Sequence, residues 1–521
     1  MAIGIGVTLE VDWDDDGNFL NAYSDVSDDI LELDWSRGRD SASQLTGRAI
    51  AGELQARLKN EDDLYNSFNT DSDLSGKLVP GLAVRLQISS SSESLTFPYT
   101  FPITFPEMEP AWAGYLDSIS PSFLRTGGKQ LTLRATGPLA RIAARETAEI
   151  VTSTSIRTGA AITLAINDAD SSIPTNIDTG DTTMTRWWAS GQPALGAIRD
   201  IEETEIGYVG ESPTGEIVFE SRQSRLKTPH ITSQATFSDA SDATLTYANI
   251  EQVDPLAELY NTMNANVQLY TVGSLAVLWT LAESGANSPP LVVGEAKTFV
   301  ARYPTGASAN NARHVNAWTT TAATTDMTAN AAADGTGTNL TSDIGISVAK
   351  YAESMSVTLT NNSTTDAFIT KLQARGTPVT ADDPLKVVEE DSTSQSSFGK
   401  RTFPLIGPFI PSEQEARDLM AFLLAIHKDP MRTMILTWDG NKDATHETKA
   451  RTLDISDRIT ITASNRAGLG INDDFFIEYM RHSMDISGRY RVTYECSEAT
   501  AYGGFWVLDV GKLGAGTKLA A

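Results

Sequence analysis

The stretch at residues 79 to 86 reads Val79-Pro80-Gly81-Leu82-Ala83-Val84-Arg85-Leu86, and it is followed by Trp112-Ala113-Gly114-Tyr115-Leu116-Asp117-Ser118-Ile119 and by a strand around Leu131. The same order recurs late in the chain, where Asp454-Ile455-Ser456-Asp457-Arg458-Ile459-Thr460-Ile461 precedes Phe476-Ile477-Glu478-Tyr479-Met480-Arg481-His482 and a strand from Tyr490. Identity between the two sets is low, but their order is that of an internal repeat. The sequence therefore predicts two related β-barrels in one chain.

The chain is too long for a single hydrophobic core. It has 521 residues, of which 40% are hydrophobic and 21% are charged, a composition typical of folded domains. Its single cysteine, Cys496, excludes an internal disulfide and a cluster of thiolate metal ligands. The first residues lack a basic segment followed by a long apolar run, and charges interrupt every apolar run. We therefore expect several domains that fold in a reducing cytoplasm, with no signal peptide.

The net charge is strongly acidic. A formal charge of -27 argues against a protein that wraps nucleic acid, because phosphate contacts need an excess of Lys and Arg. An acidic wall would instead let DNA pass without adhering. We therefore expect DNA only as passing cargo.

Patterns along the chain predict a mainly β fold with minor α, of the α+β class. Residues 1–137 alternate with a period of two and are predicted to form a first small antiparallel β-barrel. Residues 138–258 are predicted to form a small α+β domain, with the option of returning a strand to that barrel. Residues 259–285 plus 381–521 are predicted to form the second barrel. Residues 286–380, which are rich in Ala, Thr, Asn, Ser and Gly, are predicted to form an inserted β-sandwich.

Two helices are predicted from local signals. The one near 412–428 begins at a capping box, Ser412-Glu413-Gln414-Glu415, and continues in an apolar stripe. A second is predicted where Leu195, Ile198 and Ile201 have helical spacing, with Gly207 placed to end it. Low-complexity disorder is the alternative to a sandwich strand for residues 319–338.

Several segments resemble the tail-tip hub proteins of long-tailed bacteriophages, minor tail proteins related to the contractile-tail baseplate hub. The segments are Gly52-Glu53-Leu54 through Tyr65, Val79-Pro80-Gly81, Trp112 through Tyr115, Ala194 through Gly207, Gly215 through Arg222, and Trp506 through Gly514 with Thr517 and Leu519. Their order spans nearly the whole chain. The module at 286–380 is not part of the minimal hub.

The resemblance implies a structural virion protein and not an enzyme. It implies a homotrimer whose six barrels form a pseudo-hexameric hub at the distal end of the tail, which suits a six-fold tube that meets a three-fold tip. Such a hub joins the tail tube or distal-tail ring to a central fibre or spike, meets the tape measure protein, and gates DNA passage during host adsorption. The expected location is the virion tail, after assembly in the cytoplasm of the bacterial host.

One motif resembles half of a calcium site. Asp12, Asp14, Asp16 and Gly17 match the first half of an EF-hand loop, but the twelfth position is Tyr23, where the loop needs a bidentate glutamate. Flanking strands also replace the helices of an EF-hand. An acidic β-turn is therefore the preferred interpretation, and a calcium site the open alternative.

No residue set predicts catalysis, and no cofactor is expected. The histidines are scattered and lack the spacing of a helical zinc site, and Cys496 continues the packed face of a strand. Neighbouring acids could form a glycosidase pair and Trp187-Trp188 could stack on a sugar, but solvated acids and an aromatic anchor are commoner. The histidines are His230, His314, His427, His446 and His482, and the acids are Glu202, Glu203, Glu205, Glu389, Glu390 and Asp391.

Two other function classes stay open at this point. A carbohydrate-binding adhesin would use residues 286–380 to hold a host surface glycan and the remainder as scaffold. A glycoside hydrolase acting on the cell envelope would need one of the acidic pairs. Neither alternative accounts for the ordered barrel segments or for Trp506 through Leu519.

Overall fold

The computed structural model describes residues 6–39, 48–89, 108–123, 128–253, 259–281, 285–303, 312–466, 468–499, 502, 505–506 and 518–519. Among them β-strands predominate over six α-helices, which confirms the expected mainly β fold with minor α. None of the helices in these ranges is long and apolar enough to cross a membrane.

The strands are numbered in chain order. The first thirteen are β1 Gly6–Val11, β2 Ile30–Arg39, β3 Ala49–Lys59, β4 Ala83–Ser89, β5 Met108–Phe123, β6 Lys129–Thr136, β7 Ser153–Arg157, β8 Thr175–Ile177, β9 Thr183–Trp187, β10 Tyr208–Glu211, β11 Ile217–Glu220, β12 Ala235–Ser238 and β13 Asn249–Val253. The next twelve are β14 Thr262–Val267, β15 Tyr270–Val272, β16 Ala276–Thr280, β17 Pro290–Leu291, β18 Ala296–Arg302, β19 Ala312–Trp318, β20 Met327–Asn330, β21 Ile344–Lys350, β22 Ser354–Asn361, β23 Ala367–Ala381, β24 Leu385–Glu390 and β25 Thr402–Leu405. The last are β26 Thr433–Asp439, β27 Arg458–Ala463, β28 Ile471–Asp485, β29 Tyr490–Glu498, β30 Phe505–Trp506 and β31 Lys518–Leu519.

The six described helices are α1 Pro138–Ala143, α2 Thr158–Asp170, α3 Ala194–Glu205, α4 Ser392–Phe398, α5 Glu413–His427 and α6 Ala444–Thr452. Two of them, α3 and α5, lie where the sequence predicts them. The N-cap is confirmed, because the Ser412 hydroxyl accepts a hydrogen bond from the Glu415 amide at 3.1 Å. The Glu415 carboxylate accepts from Thr182 and Arg222. Helix α3 ends at Ile206, whose φ is +57°, and not at Gly207. Gly207 instead lets the Phe219 ring approach its Cα.

Twelve strands form one large sheet. Ten of them follow in the order β1-β4-β5-β6-β3-β2-β28-β29-β26-β13, and β27, which pairs with β12, joins β28. Period-two alternation sets the buried face, as in β3, where Leu54, Ala56 and Leu58 are buried and Glu53 and Gln55 are exposed. One hydrophobic core runs beneath both ends of this sheet.

The large sheet consists of two halves with the same strand order. The first half is β1 to β6, and its spatial order, in chain rank, is 1-4-5-6-3-2. The second half is β12, β13 and β26 to β29, and its order β12-β27-β28-β29-β26-β13 gives the same ranks. One pairing differs, since β1 is antiparallel to β4 and β12 is parallel to β27. Between ranks 2 and 3 the second half contains residues 254–432, whereas only residues 40–48 separate β2 from β3 in the first half.

Backbone hydrogen bonds align the halves residue by residue. The Gly81 amide donates to the Leu116 carbonyl at 2.7 Å, and the Leu116 amide donates to the Leu82 carbonyl at 2.8 Å. The Ser456 and Ile477 amides repeat this pattern with the Ile477 and Asp457 carbonyls, at 2.8 and 3.0 Å. A β-bulge follows in each case, between Leu116 and Ser118 and between Ile477 and Tyr479. Each first donor has positive φ, +94° at Gly81 and +67° at Ser456.

The two halves do not close into separate barrels among the described strands. Closure of either half would need its rank-1 and rank-2 strands to pair, and no such pair is present in the described ranges. The edge of β28 beyond its pairing with β27 is occupied by β2 of the first half, so no strand of the second half pairs there. The predicted pair of barrels is therefore corrected to one sheet with two repeated halves.

Three further units flank the large sheet. Strands β8, β10 and β11 form a small sheet next to α2 and α3, and β7 pairs with β9. Strands β14, β24 and β25 form another sheet, against which α5 packs. Strands β15, β16, β17, β19 and β20 all pair with β23, and β18, β22 and β21 form a second sheet over a shared core. Within residues 319–338, β20 is an ordered part of this assembly.

The predicted domain boundaries stay predictions, but the strand pairing refines one of them. Strands β12 and β13, within the predicted 138–258 domain, pair with β27 and β26 of the second half. Among the described residues, these two strands pair with the second half, and neither pairs with a strand of the first half. In the terminal segment, β30 pairs with β31, and residues 507–517 lie outside the described residues.

Candidate functional site

The two halves meet along one pair of strands, which we call the seam. It is the antiparallel pairing of Glu32 to Gly38 in β2 with Tyr479 to Asp485 in β28. In chain rank, strand 2 of the first half pairs with strand 5 of the second. The seam makes two repeated halves into one continuous sheet.

Aromatic rings cover the buried face of the seam. Trp35 stacks on His482, directly opposite in the register, with ring centroids 4.8 Å apart and planes 10° apart. His482 Nδ1 is hydrogen-bonded to the Tyr490 hydroxyl at 2.7 Å. Burial, together with repulsion from Arg37, lowers the pKa of His482 to about 3. The imidazole is therefore neutral at physiological pH and acts as a packed ring.

Arg37 connects the seam to the units beside it. Its guanidinium donates to an Asp454 carboxylate oxygen and to the Glu211 backbone carbonyl, both at 2.9 Å. The Glu211 side chain is itself buried and accepts from the Gly52 and Leu139 amides, both at 2.7 Å. Burial raises the pKa of Glu211 to about 7, against the opposing effect of these two amides and of Arg37. A side chain at Gly52 would collide with this carboxylate, which gives a physical reason for the glycine in the Gly52-Glu53-Leu54 segment.

The bulge residue of β28, Glu478, lies in a buried cluster of charges. Arg225, from the loop after β11, donates to both of its carboxylate oxygens at 2.6 and 2.8 Å. Ser497 donates a third hydrogen bond at 2.6 Å, and Arg39 lies 3.7 Å away. Burial alone would raise the pKa of Glu478, but Arg225 and Arg39 and the hydrogen bonds lower it to about 2. The carboxylate is therefore ionised and fully compensated.

A second carboxylate extends this cluster toward a cavity. The Ser456 hydroxyl accepts from Arg225 at 3.2 Å and donates to Glu220 at 2.6 Å. Burial raises the pKa of Glu220 to about 6, opposed by Arg225 and by the Ser456 hydrogen bond. The cavity has a volume of about 360 Å³. Charged residues of this cluster line one part of it, and apolar residues of α5, such as Leu423, line another. Arg225 thus links the segment that follows β11 to β28, the strand that forms the seam with β2.

The predicted calcium motif folds as a turn whose carboxylates already have partners. The buried Asp12 carboxylate accepts from the Gly17 amide at 2.9 Å, and Asp16 accepts from the Asn18 amide at 3.1 Å. Asp14 forms an ion pair of 2.7 Å with Lys77. No group of three or more His, Cys, Asp or Glu residues in the described ranges is arranged to hold a metal ion. Whether the motif binds calcium stays a prediction to be tested.

The histidines and the cysteine serve different local environments. His446 lies 2.8 Å from Asp443, the cap of α6, and His230 lies 3.7 Å from Asp457. His427 is in the last turn of α5, as expected. Cys496 is fully buried, and burial raises its thiol pKa well above the usual value. An unreactive, packed thiol follows from that position.

The acids of α3 are engaged inside the molecule. Glu202 pairs with Arg199 at 2.6 Å, and Glu205 accepts from the Thr182 amide at 2.8 Å. Both glutamates are buried, which corrects the expectation of solvated acids, because α3 lies beneath β10 and not on the surface. Glu203 forms an ion pair with Arg48.

The second acidic run is equally committed to structure. Glu389 pairs with Arg417 at 2.6 Å and Glu390 with Lys400 at 3.4 Å. Asp391 caps α4 by accepting from the Ser394 amide at 2.9 Å. Adjacent carboxylates therefore point to separate partners, and neither run forms the facing pair of a glycosidase.

Trp187 and Trp188 have anchoring positions. Trp187 is completely buried, while Trp188 stacks on His314 of β19 with centroids 3.7 Å apart and meets Tyr270 and Phe409 edge-on. Nearby, Arg186 donates to the Asn316 side chain at 3.1 Å. These contacts fasten the β15–β23 unit to the α+β unit, so the tryptophans are not available as a sugar platform.

Sequence reasoning missed the seam and its charge cluster. Arg225 and Glu478 are far apart in sequence, and each is an isolated charge in its own segment. The only available signal was the repeat itself, and the alignment of Glu478 with Asp117 emerges from the matching bulges of the structure. No motif indicates which strand of one half meets which strand of the other.

No protein-family model matches this chain, and no curated protein matches it. Solved structures similar over nearly its whole length include the following three. The 43 kDa tail protein of prophage MuSo2 from Shewanella oneidensis has 11% identity and a TM-score of 0.46, covering 95% of this chain and 99% of its own. A tail protein from Neisseria meningitidis MC58 has 9% identity and a TM-score of 0.49, covering 96% and 98%. Prophage tail protein gp18 from Listeria monocytogenes EGD-e has 8% and 0.40, covering 94% of both chains. These TM-scores lie below 0.5, so no shared function is inferred from them.

Proposed function

We propose that this chain is a structural subunit of a bacteriophage tail, and that three copies form the pseudo-hexameric hub at its distal end. The hub would join the tail tube or distal-tail ring to a central fibre or spike and gate the passage of DNA. The observation that carries the proposal is the repeated strand order 1-4-5-6-3-2 in two halves joined edge to edge. Three copies of such a chain present six equivalent halves.

Three further observations support a mechanical role. The seam is fixed by stacked rings and by a buried charge pair, so the two halves are held in one orientation. The acidic groups that sequence alone would nominate for catalysis are each tied to a cation or a backbone amide. A charge of -27 per chain, multiplied in a ring, suits a channel through which DNA moves without adhering.

Mass in solution tests the trimer. The full chain, examined by size-exclusion chromatography with light scattering across a range of concentrations, should give three times the chain mass of 56.1 kDa. Negative-stain images of that fraction should show rings with six lobes. A chain that stays monomeric at every concentration, alone and with tail-tube protein, would contradict the proposal. The same preparation, added to tails that lack it, should restore attachment of the fibre or spike.

A further inference from the structure

Among the described residues, two edges of the large sheet that correspond to the two sides of the seam have no strand partner. Strand β13 pairs with β26 on one side and ends the sheet on the other. Strand β5 pairs through Tyr115 with both β4 and β6, which therefore lie on its opposite edges. After Leu116 the pairing of β5 with β4 has ended and only its pairing with β6 continues. The segment from Ser118 to Phe123 therefore has one edge that no described strand covers. Phe123 within it is 63% exposed.

These two edges are the counterparts of the seam. The seam joins rank 2 of the first half, β2, to the end of rank 5 of the second half, β28. The uncovered edges are rank 2 of the second half, β13, and the end of rank 5 of the first half, β5. The two edges that form the seam within the chain thus have counterparts in the opposite halves, and these counterparts do not pair with each other within the chain.

We propose that β13 of one copy pairs antiparallel with residues 118–123 of β5 in a second copy of this chain, in the register of the seam. The proposal deepens the proposed function, on which it rests for the number of copies. Each chain would give one edge and receive one, a head-to-tail contact that closes into a ring when the rotation permits. Seams within chains and between chains would then alternate around six halves.

The register follows from the internal alignment. Across the first half, Leu33 pairs with Ala56, Ala56 with Leu133 and Leu133 with Ile119. Across the second half, Ile250 pairs with Leu436, Leu436 with Tyr494 and Tyr494 with Met480. In the seam, Leu33 lies opposite Met484. Because Ile250 corresponds to Leu33 and Phe123 to Met484, Ile250 of one copy would face Phe123 of the next.

The chemistry of the two edges suits this pairing. Ile250 opposite Phe123 is an aromatic and β-branched pair, which favours antiparallel sheets, and it would cover the exposed ring. Glu251 would face Ser122, so no like charges are opposed. The edge segment carries an exposed Phe and three serines, Ser118, Ser120 and Ser122, and no charge that would oppose edge-to-edge pairing. Pro121 lies opposite Gln252 in this register and donates no backbone hydrogen bond, so the contact has one such bond fewer than the seam.

Disulfide trapping tests the register directly. Opposed residues of an antiparallel pair have Cα atoms about 4.5–5.5 Å apart, within the range of a disulfide. The full chain with Ile250→Cys and Phe123→Cys, mildly oxidised, should form covalent dimers and trimers on a non-reducing gel. The native Cys496 is buried, so background should be low. Two chains that each carry one substitution should give only a heterodimer.

Two controls frame the result. The pair Glu251→Cys with Phe123→Cys is displaced by one residue, so its thiols point to opposite faces and should cross-link at least tenfold less. The seam pair Leu33→Cys with Met484→Cys should close within one chain and add no mass. Separately, Phe123→Lys should turn the trimer into folded monomer, whereas Phe68→Lys, 92% exposed in the loop after β3, should leave the mass unchanged.

The outcomes separate this inference from the proposed function. A trimer by mass that cross-links no better through Ile250 and Phe123 than through the displaced pair would overturn the strand pairing and leave the trimeric hub standing. A trimer that survives Phe123→Lys would do the same. A monomer that never cross-links would overturn both. Preferential cross-linking in the predicted register, with a monomeric Phe123→Lys variant, would support both.

Discussion

The buried ion pair behind the seam should cost most when one partner alone is removed. In Arg225→Met the Glu478 carboxylate, whose side chain is 3% exposed, keeps only Arg39 at 3.7 Å and the Ser497 hydroxyl. Leaving such a buried charge uncompensated costs about 3–5 kcal/mol, and the remaining Arg39 places the expected loss near the lower end. Glu478→Gln should cost a similar amount, because buried Arg225 then loses its directly bonded carboxylate and keeps only the indirect link to Glu220 through Ser456.

Hydrogen exchange measured by mass spectrometry is the appropriate assay, because unfolding of a chain with several units is not a single transition. A loss of about 3 kcal/mol should speed exchange in the β28 peptide by about 100-fold, since every 1.4 kcal/mol is a factor of ten. The double variant Arg225→Met with Glu478→Gln should recover to within about 1 kcal/mol of the native protein. Lys400→Met, which breaks the exposed pair with Glu390, is the matched control and should change exchange by less than tenfold. Equal effects of Arg225→Met and Lys400→Met would refute the reasoning.

Three further changes test other parts of the structure. Asp12→Ala should lower local stability by about 1–2 kcal/mol by removing the acceptor of the Gly17 amide, and hydrogen exchange of the peptide that contains Gly17 should show the same loss with calcium or with a chelator; a loss seen only with calcium would instead establish the metal site. Ser412→Ala should cost about 1 kcal/mol by removing the cap of α5, and unchanged hydrogen exchange in the α5 peptide would contradict that role. Glu211 has its folded pKa raised from 4.5 to about 7, so its contribution is full below its ordinary pKa and lost as pH rises through 7; stability followed from pH 5 to 8 should fall with a shallower slope in Glu211→Gln than in the native protein, because Glu220, whose pKa is raised to about 6, still contributes.

The sequence predicted local features where a short pattern determines them. The box at Ser412 placed α5 within a residue of its observed start, because capping depends on positions three apart. The aligned stretches around Gly81 and Ser456 proved equivalent down to their hydrogen bonds, because a bulge and a left-handed residue constrain both. These features depend only on neighbouring residues.

Features that join distant segments were not predictable in the same way. The seam joins residues near 35 to residues near 482, and period-two alternation is the same whether a strand pairs within its own half or with another. Two separate barrels were therefore the simpler prediction. Residues 254–432, inserted between rank 2 and rank 3 of the second half, also concealed that β13 belongs with β26. Likewise, Trp188 and His314 meet only because β19 docks beside β9.

The two kinds of contact proposed for the ring differ in how they are held together. Within the chain, the bulge residue Glu478 is buried against Arg225, so the seam is locked by charge as well as by backbone pairing. The corresponding bulge residue of the first half, Asp117, is exposed, and the edge beyond it offers serines, a proline and Phe123. A contact between copies would therefore depend on backbone hydrogen bonds and one apolar pair, and a single such contact is weak. Closure of the ring makes the final contact intramolecular, with the gain in effective concentration that this brings. Free subunits would then stay separable until all contacts form together, which is the behaviour required of a part that must fold first and assemble afterwards.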